Sequence, residues 1–239
     1  QRLEETDAVR KRFVSDASHE LKTPLASIKL LTDSIVQNED MDVETIRDFV
    51  QDIGTEADRL TRITEKLLAL TRMDNGSRAD KSPVNLTDVM SNALHMLMPL
   101  ADHRNVTIHV ELDEGCIVLS SEDEIYQVLF NLVENAIKYN VQGGKIWIKT
   151  EKQNTLVLIC IEDTGIGIPA EEKDKVFDRF YRVDKARSRQ AGGTGLGLSI
   201  VRDTVVSNGG TIEVADRSGG GTVFTVRLPL VQQEQEGVQ

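Results

Sequence analysis

Along the first third of the chain, apolar residues return every three or four positions. On a helix advancing about 100° per residue, Phe13, Ala17, Leu21, Leu25, Ile28, Leu31 and Ile35 fall within about 80° of one direction centred on Ala17. The pattern predicts a helix from residue 3 to about residue 37, broken at Asn38-Glu39-Asp40. A second series, Ile46, Phe49, Ile53, Ala57, Leu60, Ile63, Leu67 and Leu70, predicts another helix over residues 43–72. Their short connection makes an antiparallel hairpin. Each stripe is wider than one neighbouring helix covers, so two hairpins are expected to pair into a four-helix bundle, a homodimer.

The period changes after residue 76. Asp74-Asn75-Gly76-Ser77 stops the second helix, and the polar stretch over 77–83 reads as a linker. Beyond it, runs of strand length alternate with helical ones. Helices are expected over 86–102, 121–139 and 197–206, the second opened by a capping box of Ser121 and Glu124. Strands are expected over 106–111, 117–119, 145–151 and 156–162, with a closing hairpin of 211–214 and 222–228 that turns through Ser218-Gly219-Gly220-Gly221. The fold class is therefore multidomain, α and α/β: a helical hairpin over 1–76, then an α/β unit over 84–231 and a polar tail, 232–239, expected to be disordered.

Composition narrows the partners. Of the 239 residues, 39% are hydrophobic and 28% charged, as in soluble globular proteins. The net charge of -11 and sequence pI of about 4.9 oppose nucleic acid or an anionic membrane surface as the main partner, so a polyanionic ligand needs a local basic patch. Cys116 and Cys160 share no metal-ligand spacing and read as small core residues in a reducing compartment. No apolar run is long enough to span a bilayer. The opening Gln1-Arg2-Leu3-Glu4-Glu5 lacks a Met and is already in helical register, which suggests a piece of a longer chain. Membrane attachment is then expected only through preceding segments.

Candidate chemistry begins at His19. It lies about 200° from the stripe centre and Thr23 about 240°, so both project from the polar face of the first helix. Pro24 has no N–H to donate to the carbonyl of Glu20 and predicts a bend one turn further on. The run His19-Glu20-Leu21-Lys22-Thr23 lacks the second histidine of a zinc motif. Taken alone, such a histidine is most often a solvated surface residue.

In the second unit, two glycine clusters bracket a basic segment. Asp163-Thr164-Gly165-Ile166-Gly167 leaves the end of a buried strand, and Gly192-Gly193-Thr194-Gly195-Leu196-Gly197 enters a helix, where backbone N–H groups can face an anion. Asn131 and Asn135 are one helical turn apart, so their amide oxygens can face one divalent ion held by phosphate oxygens. Lys138 and Arg182 bring positive charge, and residues 179–189 hold five basic residues against one acid, which is the required basic patch. The carboxylate of Asp163 could accept from an exocyclic amine such as that of adenine. Singly, each feature suits an ordinary turn, helix surface or loop; together and in this order they are poorly explained that way.

These residues resemble the motifs of sensor histidine kinases of bacterial two-component systems, in family order along almost the whole chain. His19-Glu20-Leu21-Lys22-Thr23-Pro24 is similar to the family's H box and Asn131-Leu132-Val133-Glu134-Asn135-Ala136 to its N box. Asp163-Thr164-Gly165-Ile166-Gly167 resembles the first glycine box, Phe177-Asp178-Arg179-Phe180-Tyr181-Arg182 the F box, and Gly193-Thr194-Gly195-Leu196-Gly197-Leu198 the second glycine box. The resemblance implies the ATP-binding α/β sandwich of gyrase-type ATPases, a mixed sheet under three helices, with a mobile lid between Arg182 and Gly193. It implies that ATP and Mg2+ bind, with the metal at Asn135 and Asn131, the phosphates near Lys138 and Arg182, and adenine against Tyr139 and Asp163. Gly165, Gly167, Gly193, Thr194, Gly195, Leu196 and Gly197 would line that nucleotide site. It further implies that His19 takes the γ-phosphoryl group with Glu20 as base and passes it to an aspartate of a response regulator receiver domain. Thr23 would serve dephosphorylation of that regulator. The chain would be the cytoplasmic portion of a membrane-bound sensor. Two rivals remain, a nucleotide-dependent dimeric adaptor and a gyrase-like ATPase.

Overall fold

A computed structural model describes residues 2–38, 40–74, 81–183 and 195–231. For the side chains of 2–14, 16, 19, 20, 62 and 65–74, only the helical backbone is described. Most of the expected linker, most of the expected lid and the expected disordered tail lie outside these residues. The chain divides into two compact units, with a boundary between Asp74 and Asn75.

The first unit is a hairpin of α1 (Arg2–Gln37) and α2 (Val43–Asp74). The helix α1 runs on through Pro24, which is buried. At the turn, the carboxylate of Asp42 accepts from the backbone N–H of Thr45 at 2.9 Å and from its hydroxyl at 2.8 Å, capping α2. These bonds hold the Asp42 carboxyl below its usual range. Ala17, Leu21, Ile28, Leu31 and Ile35 of the predicted stripe are half-buried, while Leu25 is 54% exposed. On α2, Ile46, Phe49, Ile53 and Leu60 are half-buried, Ile63 is fully buried, and Ala57 is exposed. Leu30, Val36, Val43 and Val50 are exposed as well. One hairpin thus covers its two stripes only in part.

The second unit starts with β1 (Ser82–Asn85), which sequence reasoning assigned to linker and its edge. It pairs antiparallel with β3 (Ile117–Ser120), placing Val84 beside Val118 under the core. Between them lie α3 (Leu86–His103), capped by the Asn85 side chain accepting from Thr87 N–H at 3.0 Å, and β2 (Thr107–Leu112). Then follow α4 (Glu122–Lys138), β4 (Lys145–Gln153), β5 (Leu156–Asp163), α5 (Gly197–Ser207), β6 (Thr211–Asp216) and β7 (Thr222–Pro229). Two short 3-10 turns, Ala170–Glu172 and Lys175–Phe177, fall between β5 and α5.

Five strands form a mixed sheet in the order β2-β4-β5-β7-β6, parallel only between β2 and β4. Alternation is strict along β5: Val157, Ile159, Ile161 and Asp163 are buried while their neighbours are half-exposed. β7 alternates the same way, with Thr222, Phe224, Val226 and Leu228 inward. Against this face pack Val89, Met90, Ala93 and Leu97 of α3, Ile125, Val128, Leu129, Leu132 and Val133 of α4, and Val201 and Val205 of α5. The expected layering, a mixed sheet under three helices, is what the structure shows.

The expected capping box at α4 is not formed. Ser121 is the N-cap residue, yet its side chain makes no capping bond. Glu124 turns away instead: its carboxylate accepts from the Ser120 hydroxyl at 3.2 Å and from Asn208 Nδ2, just past α5, at 3.1 Å. The same Nδ2 also donates to Thr204 O at 2.9 Å. A tertiary partner for the carboxylate outcompetes the local one.

Leu129 is fully buried at the middle of α4, so Leu129→Ala is expected to destabilise the second unit by about 2–5 kcal/mol. Trp147, the chain's single tryptophan, lies in that unit. Its emission followed through a denaturant titration measures the loss, and an unchanged midpoint would contradict the packing described.

Candidate functional site

The inward alternation of β5 carries a carboxylate to the end of the central strand. Asp163 is only 4% exposed. Its Oδ1 accepts from the N–H of Gly165 at 2.7 Å and of Thr222 at 3.4 Å. Among the described residues no hydrogen bond reaches Oδ2. Burial is the largest influence on this group and pushes its pKa above the usual 3.8, while the two N–H groups and the charge of Arg217 oppose the shift.

The backbone around Asp163 is packed so tightly that only glycine fits at two places. A Cβ on Gly165 would strike the carbonyl oxygen of Tyr139, and one on Gly221, at φ +105, would strike the carbonyl oxygen of Asp163 itself. That Tyr139 carbonyl accepts from Ile166 N–H at 3.1 Å, so the loop leaving β5 is fastened to the end of α4. Tyr139 is the C-cap residue of that helix and is half-buried.

Two turns earlier on α4, Asn131 is 3% exposed and its Nδ2 donates to Gln127 O at 2.8 Å. That bond fixes which end of the amide is the acceptor: Oδ1 lies beside Gly197, where a Cβ would stand 3.1 Å away. Asn131 therefore faces the first residue of α5, and half-buried Asn135 lies one turn along toward Tyr139. Gly195, at φ +71, packs on Phe180, whose N–H donates to Gly195 O at 2.8 Å and which itself has φ +64. Leu196 is fully buried and Gly167 has φ +72.

The structure thus brings Tyr139, Asp163 and Gly165 together where α4 and β5 end, and sets Asn131 against Gly197 at the start of α5, with Asn135 between the two places on α4. Lys138 is otherwise engaged, ion-paired with Glu134 at 2.9 Å, and its carbonyl accepts from Arg104 at 2.6 Å. Arg182 is half-buried, and Arg179 pairs with Asp203 at 3.0 Å. Gly193 and Thr194 lie outside the described residues, as do the side chains of His19 and Glu20, whose backbone is within α1. Thr23 is exposed on that helix. Sequence reasoning missed Thr222 and Gly221: the glycine run before β7 was read as a turn, and only the register of β5 against β7 sets it beside Asp163.

Two family models match the chain. The His Kinase A (phospho-acceptor) domain matches residues 9–76, and the histidine kinase-, DNA gyrase B- and HSP90-like ATPase matches residues 120–232. The catalytic domain of histidine kinase ThkA is 31% identical, with a TM-score of 0.57 over 64% of this chain and 97% of that one. The chain belongs to the histidine kinase family. Histidine kinase AdeS of Acinetobacter baumannii covers more of this kinase, 90%, at 25% identity and a TM-score of 0.71, with 98% of that chain matched. Sensor-like histidine kinase SenX3 of Mycobacterium tuberculosis is 36% identical over 226 residues, 94% of this chain. The kinase chain spans 55% of the length of that relative.

The site fits a nucleotide and its ion on its own geometry. Glycine at 165 and 221 lets two backbone segments close on the Asp163 end of the strand, the second oxygen of Asp163 can accept, and the oriented Asn131 oxygen is a hard donor of the kind Mg2+ takes together with phosphate oxygens. Among the described residues there is no cluster of three His, Cys, Asp or Glu side chains suited to a metal. None of the described helices is long and apolar enough to cross a membrane.

Because the folded-state pKa of Asp163 lies above its usual value of 3.8, the folded kinase holds this proton to higher pH than the unfolded chain does. Stability therefore falls as pH rises from 3.8 through the raised folded-state pKa. Asp163→Asn is expected to raise the melting temperature of the ligand-free kinase at neutral pH, with the gain vanishing below about pH 3.8. The same change should weaken ATP binding by about 1.5–3 kcal/mol, the cost of losing a hydrogen bond to a charged group. Melting curves across pH and a calorimetric ATP titration check both signs; unchanged affinity removes Asp163 from the site.

Proposed function

We propose that this chain is the catalytic portion of an ATP-dependent protein-histidine kinase that phosphorylates its own His19 and passes the group to an aspartate of a response regulator receiver domain. The observation that carries the reading is helix α4, which holds the Asp163–Gly165 loop at its Tyr139 end and sets Asn131 against Gly197, the first residue of α5, two turns earlier. It stands in the same chain as a match to the phospho-acceptor domain that spans His19. In this reading the outer oxygen of Asp163 accepts from the adenine amine, and Tyr139 packs on the base. Asn135, with Asn131, holds Mg2+, which supplies charge neutralisation at the phosphates.

The chain's own groups then position and move a proton. A ring nitrogen of His19 forms a P–N bond to the γ-phosphorus as the bond from that phosphorus to the bridging oxygen breaks. ADP leaves with the electron pair, and Glu20 takes the imidazole proton. Arg182 and Lys138 add positive charge, Lys138 by exchanging Glu134 for phosphate. The incompletely covered stripes of the hairpin, with Leu25 exposed and Ile28, Leu31, Ile35, Ile46 and Phe49 half-buried, support a homodimer in which two hairpins share a four-helix core. Membrane attachment would come through segments preceding Gln1, with this portion in the cytoplasm.

Incubation with γ-labelled ATP separates this reading from its two rivals. Acid-labile label on the protein marks the kinase, free phosphate an ATPase, and neither an adaptor. His19→Gln is expected to abolish labelling while ATP still binds with affinity within about twofold of wild type, because the acceptor and the nucleotide lie in different units. Label on that variant would remove His19 from its role.

Thr23 is exposed on the helix that carries His19, one turn on, where its hydroxyl can hold a water against an incoming phospho-aspartate. Thr23→Ala is expected to leave self-labelling near wild type and slow the loss of phosphate from the regulator about tenfold or more, the scale of general catalysis by one positioned group. Regulator-bound label followed over time with ADP present is the assay, and equal decay for both proteins assigns the water to another residue.

A further inference from the structure

Three consecutive glycines, Gly219, Gly220 and Gly221, turn the β6–β7 hairpin at φ +88, +97 and +105. No sequence has more conformational freedom to lose. Yet the end of this turn is placed closely: Gly221 lies against the Asp163 carbonyl, and Thr222 donates to Asp163 Oδ1 at 3.4 Å. The glycines cannot hold that position themselves.

Arg217 stands at the start of the turn and is held on several sides. Its guanidinium lies 4.4 Å over the ring of Trp147, and its Nε ion-pairs with Glu162 at 3.5 Å. Nη1 donates to Ser218 O at 3.2 Å. Its backbone closes the turn, the N–H donating to Gly221 O at 3.2 Å and the carbonyl accepting from Gly220 N–H at 3.1 Å. Trp147 and Glu162 are cross-strand partners on β4 and β5, and Trp147 is stacked in turn on His109 with centroids 5.7 Å apart. Glu162 precedes Asp163, so this stack occupies the face of the sheet opposite the candidate nucleotide site. Beside it, Lys173 ties down Asp216 at 2.6 Å.

We propose that Arg217 is a positioning residue for nucleotide recognition: clamped by Trp147 and Glu162 behind the sheet, it fixes the three-glycine turn that presents Gly221 and Thr222 to Asp163, and so sets selectivity for a base bearing an exocyclic amine. The inference rests on Asp163 accepting from the adenine amine. Its logic is mechanical. The Gly165 and Thr222 N–H groups fix Oδ1 from two sides only while the turn stays in place, which aims the other oxygen at the base; with Gly165 alone the carboxylate can pivot about one bond. A turn released by loss of the clamp lets the carboxylate rotate, and contacts to the amine suffer while contacts to the phosphates do not.

The test compares ATP with inosine triphosphate, which carries a carbonyl where adenine carries its amine, on the full chain by calorimetry. Wild type is expected to favour ATP. Arg217→Gln should lower ATP affinity about fivefold, the scale of one partly buried cation–π contact, and leave inosine triphosphate affinity within about twofold. Arg217→Lys and Trp147→Phe, which keep a cation and an aromatic face, should retain most of the selectivity, while Trp147→Leu should lose it. Trp147, the single tryptophan, reports directly: its emission should respond to ATP in wild type and not in Arg217→Gln. A wild type that binds both nucleotides equally overturns the reading of Asp163. A selective wild type with an equally selective Arg217→Gln overturns the role of Arg217, and so does an equal fall for both nucleotides.

Discussion

A carboxylate taken out of water at the end of the central strand sets the terms for everything around it. Asp163 is 4% exposed, and such a group persists in a fold only when donors are brought to it. Two backbone N–H groups meet Oδ1, one from the loop just after β5 and one from the start of β7. Both approaches require the backbone to come closer than a side chain allows, which is the physical reason for Gly165 and Gly221. Stability is given up at this point, since burial still leaves the carboxyl pKa raised. A carboxylate held by one oxygen with the other left to accept is what that sacrifice secures, as expected where binding and folding compete.

Helix α4 connects this point to the rest of the unit. Its Tyr139 carbonyl meets the loop of Asp163, and its Asn131 meets the start of α5. Its first turn is anchored by a carboxylate that gathers Ser120 from β3 and Asn208 from the end of α5. The two helices are thus joined at both ends, by Asn131 with Gly197 and by Glu124 with Asn208, and so run antiparallel over the sheet. Among the described residues nothing donates to the buried Asn208 Oδ1, a cost accepted because both acceptors, Glu124 and Thr204 O, claim the amide nitrogen.

The helical hairpin follows a different logic. Its local signals are strong, with a capped α2 and regular stripes, but a two-helix layer cannot enclose them. Leu25 stays exposed and Ile28, Leu31, Ile35, Ile46 and Phe49 are only half-buried, which measures how far it falls short. The α/β unit, by contrast, encloses its own core between a five-stranded sheet and three helices. Family membership agrees with this division, one family model matching each unit.

Element types and order were legible in the residues alone because period and punctuation are local: threes and fours for α1 and α2, alternation for β5 and β7, glycine or asparagine at the stops. The motif residues were legible for the same reason, each box being a short run whose chemistry shows in its residue types. Strand β1 was not legible, since Ser82-Pro83-Val84-Asn85 has no pattern of its own and is a strand only because β3 lies beside it. Nor was the fate of Glu124, where a good local cap lost to partners 4 and 84 residues away in sequence. The acceptor geometry of Asp163 belongs to the same class. The sequence determined that a carboxylate would leave a buried strand into a glycine loop; only the pairing of β5 with β7 brought Thr222, Gly221 and the Arg217 clamp to it, because hydrogen bonds and close packing between distant segments exist only once the sheet has set their register.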